Sequence, residues 1–244
     1  MFFSSKKSFI TSGLLDDATD IHSHILPGID DGVSDYKGAI QSLRWLKSIG
    51  VGCVYLTPHV MSDLSENTSD YLLDRFDLFT KQIENEEITD IPDLRIGAEY
   101  MLELPLKKQI KSGLLTYADR HVLVETSYFM PSIGLFELIM ELMESDYTPI
   151  LAHPERYHYM EGKDYEDVKS RGIKYQLNFL SLIGSYGTHA KEKSIQLLTD
   201  DMYDYAGSDF HNIYRHRDAF EAEKLTKKQI AKLAVLFQNN TRLW

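Results

Sequence analysis

Among 244 residues there is one cysteine, Cys53, set in the apolar run VGCVYL, so no disulfide can form within the chain. That fits a reducing compartment, and the thiol reads as a core residue. No apolar stretch approaches the length of a membrane span, and the amino-terminal MFFSSKKSFITSGLL lacks the unbroken apolar core of a signal peptide. The expected location is cytoplasmic. Basic residues are the minority, 26 Lys and Arg against 37 Asp and Glu, for a formal charge of −11. Without a local basic patch, this balance disfavours a nucleic-acid backbone or an anionic membrane as partner. It also suits carboxylates gathered around cations, which look more negative in sequence than in the loaded protein. Internal repeats and low-complexity tracts are missing, as are a Walker loop, a G-x-S-x-G elbow and a Rossmann fingerprint. Six positions after Cys53 stands His59 rather than an arginine, so the cysteine-based phosphatase loop is absent as well.

What remains is an ordinary globular composition, 43% hydrophobic and 26% charged. Apolar or β-rich runs alternate with helix-like segments, the pattern of βα units on a parallel sheet. Beyond the opening DIHSH, the strand candidates are VGCVYLTPH with a break at Pro58, LRIGAEY, HVLVETS, YTPILAHPERY, GIKYQLNF and YAGSDFHN. A helix is predicted over SDYKGAIQSLRWLKSIG, with a Ser or Asp cap, Ala39, Leu43 and Leu46 at helical spacing, and a closing Gly50. Others are predicted over YLLDRFDLFTKQIENE, LPLKKQIKSGLL, IGLFELIMELMESD, two stretches near 163–171 and 188–202, and LTKKQIAKLAVLFQNN. MSDLSENTSD, residues 61–70, reads as a loop and a candidate lid. About seven strands with intervening helices suit an α/β fold built as a closed or distorted (β/α) barrel better than an open sheet.

The residues that end these runs carry the chemistry. In DIHSHILPGIDDG, a repeat of two would place His22 and His24 on one face of an extended segment, about 7 Å apart. Later runs end at His59, Glu99, Glu125, His153 and Asp209, with His211 two further on. In a parallel barrel all strand carboxyl ends face one way, so these eight residues are expected to share one mouth. Any one of them alone is as well explained as a hydrogen-bonded rim residue. Together they would leave several charges unpaired unless cations sit among them, and a mixed imidazole and carboxylate set suits Mn, Zn or Fe better than Ca. Eight ligands exceed the need of one ion, so two or three are expected. Arg156, Arg215 and Arg217 lie a few residues beyond these positions, where a planar guanidinium would clamp an oxyanion or, equally, pair with a surface acid. His121 and His189 read as structural, His158 and His216 sit in polar loop or helix contexts, and Asp30 or Asp31 reads as a rim contact or a turn residue.

With DIHSHILPGIDDG, TPH, GAEY, LVET, AHPERY and SDFHN in that order from Asp20 to Asn212, the chain resembles the polymerase and histidinol phosphatase (PHP) superfamily. It is similar above all to the bacterial manganese-dependent protein-tyrosine phosphatases that act on the tyrosine kinases controlling capsule and exopolysaccharide synthesis. The resemblance implies a distorted (β/α)7, TIM-like barrel over residues 20–244 as a single PHP-type domain, preceded by an extension, residues 1–19. It implies a trinuclear site at the strand carboxyl ends, with His22, His24, His59, Glu99, Glu125, His153, Asp209 and His211 as ligands and Arg156 as a phosphate contact. Manganese is the expected metal, with Fe, Zn or Mg as alternatives. Some members carry one arginine five residues beyond the last ligand histidine; here that place holds His216, flanked by Arg215 and Arg217, and which of the three meets phosphate stays open. The expected reaction is in-line attack on phosphotyrosine by metal-bound hydroxide, with Asp209, His211 and the arginines at the reacting group. Two other readings are a phosphatase for a small phosphomonoester, such as histidinol phosphate or a nucleotide, and a non-catalytic metal-binding scaffold engaging a kinase tail. The oligomeric state is left open.

Overall fold

The computed structural model describes residues 6–222 and 224–243. In chain order the elements are α1 (Phe9–Ser12), β1 (Ala18–Asp20), α2 (Tyr36–Ser48), β2 (Val51–Leu56), β3 (His59–Val60), α3 (Ser69–Asn85), β4 (Asp93–Ile96) and β5 (Glu99–Met101). There follow α4 (Leu106–Ser112), β6 (His121–Glu125), α5 (Leu135–Glu144), β7 (Thr148–Ala152), α6 (Lys163–Ser170) and β8 (Lys174–Asn178). The chain closes with α7 (Phe179–Ile183), α8 (Gly187–Thr199), β9 (Tyr205–Gly207), α9 (Ile213–Glu221) and α10 (Lys227–Asn240). No described helix is long and apolar enough to cross a membrane.

Every strand pairing is parallel. The strands form a three-stranded sheet, β1-β2-β4, and a six-stranded one, β3-β5-β6-β7-β8-β9. Two of the expected runs are each split between the sheets. VGCVYLTPH breaks where Pro58 has no N–H to give to a ladder, as its sequence indicates. LRIGAEY, expected as one strand, breaks at Gly97 and Ala98, and the backbone still follows its neighbour: Gly97 N donates to the Leu56 carbonyl (2.9 Å) and Glu99 N to that of Pro58 (3.1 Å). Beyond β1 the chain stays extended. Thr57 N donates to the Ser23 carbonyl (2.7 Å), His24 N to that of Phe210 (2.8 Å) and Asp209 N to that of His22 (2.9 Å). The histidine pair is therefore tied on one side to the segment after β2 and on the other to the segment after β9.

Helix α2 starts where Asp35 accepts from Gly38 N, and it buries Ala39, Ile40, Leu43 and Leu46 on one face. Three short helices escape the sequence reading: α1, α7 and α9. The last is opened by Asn212, whose side chain accepts from Tyr214 N and Arg215 N. Beneath the strand ends lies a compact apolar floor of Ile21, Tyr55, Tyr117, Leu123, Ile150 and Ala152. Its two tyrosines do not leave hydroxyls stranded: Tyr117 donates to the Ile21 carbonyl and Tyr55 to that of Leu243, each at 2.5 Å.

The amino-terminal segment is part of the packing. Lys7 bridges Leu225 in antiparallel fashion, and Phe9 is fully buried, its ring 5.1 Å from Phe179 and 5.3 Å from Phe220. Truncating a buried phenylalanine leaves a cavity that the neighbours only partly refill. Phe9→Ala is expected to cost about 3–4 kcal/mol in urea unfolding; a loss below about 1 kcal/mol would mean that this segment is dispensable.

Candidate metal centre

Six of the eight positions singled out in the sequence end or follow one of the parallel strands, and the other two stand where a strand resumes. His22 and His24 follow β1, Glu125 ends β6, His153 follows β7, and Asp209 and His211 follow β9; His59 and Glu99 open β3 and β5, the continuations of β2 and β4. His153 and Asp209 hold left-handed backbone, φ +35° and +54°, which for residues with a Cβ is strained. Glycine supplies the close approach elsewhere: a Cβ on Gly32 would sit 2.1 Å from the His24 carbonyl oxygen.

The side chains meet in four overlapping groups, the ligand atoms of each lying within 4.8 Å of one another: His22, His24 and Asp209; His22, Glu99 and His153; His59, Glu99 and Glu125; His24, Asp31, His59 and His211. The eight are thus brought together, joined by Asp31, which the sequence offered only as a rim or turn residue. At the centre His22 Nε2 lies 3.2 Å from His24 Nε2. Glu99 Oε2 is 3.3 Å from the first and 3.4 Å from the second, and Asp209 Oδ1 is 3.5 and 3.4 Å from them.

Hydrogen bonds on the outer side of each ring decide what faces inward. Gln176 donates through Nε2 to the Leu177 carbonyl, so its Oε1 faces His22 Nδ1 (3.0 Å) as an acceptor. Asp30 Oδ2 accepts from His24 Nδ1 (2.8 Å) and from His59 N (2.9 Å), and the Asp209 carbonyl accepts from His211 Nδ1 (2.9 Å). A neutral imidazole that donates from Nδ1 turns a bare lone pair outward at Nε2. Lone pairs and carboxylate oxygens therefore face one another with no donor between them. The same conflict leaves His59 Nδ1, Glu99 Oε2, Glu125 Oε1 and His153 Nδ1 buried without a hydrogen bond, although His59 Nδ1 is 3.1 Å from Glu99 and 3.0 Å from Glu125. Divalent cations fit this donor set: each would replace a repulsion between lone pairs by shared ligation.

Without cations the convergence draws protons onto the rings. Burial opposes charge on His59, as does His24, yet Glu125 and Glu99 lift its pKa to about 10. His22 and His24 are likewise raised against burial, His22 by Glu99 and Asp209, His24 by Asp30 and the nearby Asp209 and Glu99 carboxylates. Burial would raise Glu99 and Asp209, but the facing histidines hold both carboxyls well below the usual range. His153 goes the other way, lowered by burial and by Arg156.

Beside this cluster Arg156 Nη1 donates to Asp209 Oδ2 (2.8 Å), and the guanidinium is only 17% exposed. Arg215 is exposed, gives Nη2 to the Ser185 carbonyl (3.1 Å) and packs on the Tyr186 ring. Arg217 is exposed and has neither ion pair nor hydrogen bond among the described residues. His216 is 1% exposed, stacks on Phe210 and points its nitrogens at the Asn212 and Ser208 carbonyls; burial pushes its pKa down to about 4. It faces the core and not the mouth. His121 bonds the Ala118 carbonyl, and His189 stacks on His158, away from the eight. Sequence reasoning missed Gln176, Asn178 and Tyr186. Gln176 and Asn178 alternate along the apolar run KYQLN, so a pair of buried amides on one face was the available signal.

A parallel α/β fold carrying several adjoining imidazole–carboxylate groups at its strand ends is of the class suited to holding divalent cations. Comparison with known proteins narrows this. Residues 18–243 match the family model for capsular polysaccharide synthesis, CpsB/CapC, and the chain belongs to that family. Tyrosine-protein phosphatase CpsB of Streptococcus pneumoniae is 28% identical over 239 residues, covering 91% of this chain and 96% of that one. Tyrosine-protein phosphatase YwqE of Bacillus subtilis is 28% identical over 210 residues, covering 80% and 77%. A solved chain from the crystal structures of YwqE and CpsB, described as unique metal-dependent tyrosine phosphatases, superposes with a TM-score of 0.76 at 23% identity, covering 92% of this chain and 93% of its own.

Two outcomes follow for metal loading. Because the facing carboxylates raise the pKa values of His22, His24 and His59 in the absence of metal, an ion must compete with protons for these rings. Mn²⁺ titrated into chelator-treated protein is expected to release protons, read as a calorimetric heat that depends on buffer ionisation enthalpy, and to bind more weakly as pH falls. A heat independent of buffer would remove these rings from the ligand set. Gly32→Ala, which drives a methyl into the His24 backbone, is expected to weaken Mn²⁺ binding by about 10-fold or more with the circular dichroism unchanged.

Proposed function

We propose that this chain is a metal-dependent protein-tyrosine phosphatase that holds two or three divalent ions, most often manganese, on His22, His24, His59, Glu99, Glu125, His153, Asp209 and His211. Its substrate is the phosphotyrosine of a cytoplasmic tyrosine kinase governing capsule or exopolysaccharide synthesis, in line with the family and the names of its relatives. The scaffold is a distorted (β/α)7 barrel formed by a single domain, whose first strand begins at Ala18, ahead of the boundary at residue 20 expected from sequence. In support, the segment after β1 bonds to the segments after both β2 and β9.

The observation that carries the reading is the run of overlapping ligand groups with a guanidinium alongside: Arg156 is fixed to the same aspartate that faces His22 and His24. When bound, the ions supply Lewis acidity toward phosphoryl oxygens and a nucleophile at neutral pH. The protein does the rest. Arg156 spends one N–H on Asp209 and keeps the remainder of its fork for phosphate oxygens. Arg215, at the exposed edge and without an ion pair among the described residues, is the second arginine we assign to substrate; Arg217 is not. The phenolate of tyrosine, with a free pKa of about 10, leaves more readily than an alkoxide and makes little demand on a general acid. Asp31, 73% exposed and near His59 Nε2 and His211 Nε2 (3.5 and 3.4 Å), stands where a proton can pass to solvent.

Wild type, Asp209→Ala and Arg156→Ala should be compared for bound metal and for turnover of a phosphotyrosine peptide and of histidinol phosphate. Asp209→Ala is expected to lose metal and at least about 100-fold in kcat; Arg156→Ala, which also frees Asp209 Oδ2, is expected to weaken Mn²⁺ binding and, once saturated with metal, to raise KM about 10-fold. Preference for histidinol phosphate at matched concentration would move the substrate to the small-phosphomonoester class. Tight metal with no turnover of any monoester would leave a binding scaffold.

A further inference from the structure

Tyr186 precedes α8, outside every motif of the sequence reading, and it touches three groups of the site at once. Its ring lies 4.2 Å from the Arg156 guanidinium carbon and 4.4 Å from that of Arg215, while its hydroxyl donates to Asp209 Oδ2 (3.2 Å). Arg156 also rests on Tyr128, 4.5 Å from that ring, and the Tyr128 ring is itself 5.8 Å from His153. Asp209 Oδ2 takes two further donors, Arg156 Nη1 (2.8 Å) and Asn178 Nδ2 (3.0 Å). Three donors fill that oxygen and leave Oδ1 to face His22 and His24.

We infer that Tyr186 is a positioning residue with two separable tasks, its ring ordering Arg156 and Arg215 for an anionic phosphoryl group and its hydroxyl holding Asp209 so that only Oδ1 faces the metal centre. The ring task follows from the attraction of a guanidinium to an aromatic face, which restrains a long flexible side chain without using its N–H donors. For Arg215 this matters most, because its one hydrogen bond is to a backbone carbonyl and no carboxylate anchors it among the described residues. The hydroxyl task follows from the geometry of a carboxylate: with one oxygen held by three donors, the group cannot rotate to offer both oxygens inward.

The inference rests on the phosphatase reading, and two substitutions separate its parts. Tyr186→Phe keeps the ring and removes the hydroxyl; Tyr186→Leu removes both. Four quantities are measured on each folded variant: Mn²⁺ affinity of chelator-treated protein by calorimetry, affinity of the Mn²⁺-loaded protein for inorganic phosphate, and KM and kcat for a phosphotyrosine peptide. Tyr186→Phe is expected to weaken Mn²⁺ binding about 10-fold with phosphate affinity and KM within about 2-fold of wild type. Tyr186→Leu is expected to share that metal defect and in addition to lose about 10-fold in phosphate affinity and in KM. Equal phosphate affinity and KM in Phe and Leu variants would overturn the ring task, and unchanged Mn²⁺ affinity in both would overturn the hydroxyl task. A wild type inactive on the peptide would overturn the phosphatase reading alone, since the two binding measurements still decide the roles of Tyr186.

Discussion

Lone pairs and carboxylate oxygens brought face to face with no proton donor between them are the constraint on which the rest of this molecule depends. Deep in the protein, His22 and His24 each face Glu99 Oε2 and Asp209 Oδ1 at no more than 3.5 Å, and the outer sides of His22, His24 and Asp209 are already committed to Gln176, Asp30, Asn178 and Arg156. In a low-dielectric interior such crowding is costly unless positive charge is added. Without metal the facing carboxylates favour protons on the rings, raising the pKa values of His22, His24 and His59 above the ordinary range. Cations meet the same need with better geometry, since each serves several acceptors at once.

Asp209 is where the cluster of histidines and carboxylates joins the arginine side. One oxygen faces the histidines and the other is held by Arg156, Asn178 and Tyr186, so a disturbance on either side is felt on the other. Its left-handed backbone, and that of His153, shows that the loops after β7 and β9 are held in strained conformations by their surroundings. The apolar floor of Ile21, Leu123, Ile150 and Ala152 supplies the rigid base from which these loops project.

How much was legible in the sequence differs by residue, and the reason is range. Glu125 and His153 could be read because each ends an apolar run whose strand character is local, and strand polarity then dictates where the end points. Asp30 was visible only as a rim contact or a turn residue, since nothing in GIDDG reveals that its carboxylate reaches back to the His24 ring. Tyr186 lies 23 residues before the aspartate it touches, in a segment with no strand or motif to mark it. The arginines after His211 were equally uninformative in sequence: Asn212 starts α9 there, and the turn of that helix sends His216 onto Phe210 while Arg215 meets Tyr186. LRIGAEY read as one strand because apolar periodicity runs through it, yet Gly97 and Ala98 interrupt the ladder.

By itself, the sequence determined which donor types stand at the ends of which strands, because alternation, caps and breaks are set by neighbours along the chain. It likewise fixed the deficit of disulfides and of positive charge. Only the tertiary structure decided that Asp31 joins the cluster, that Asp209 turns one oxygen toward His22 and His24 and the other toward Arg156, and that Arg215 meets Tyr186 while His216 meets Phe210. Those outcomes depend on hydrogen bonds and ring contacts between segments far apart in the chain, and such contacts exist only once the strands have closed the distance between them.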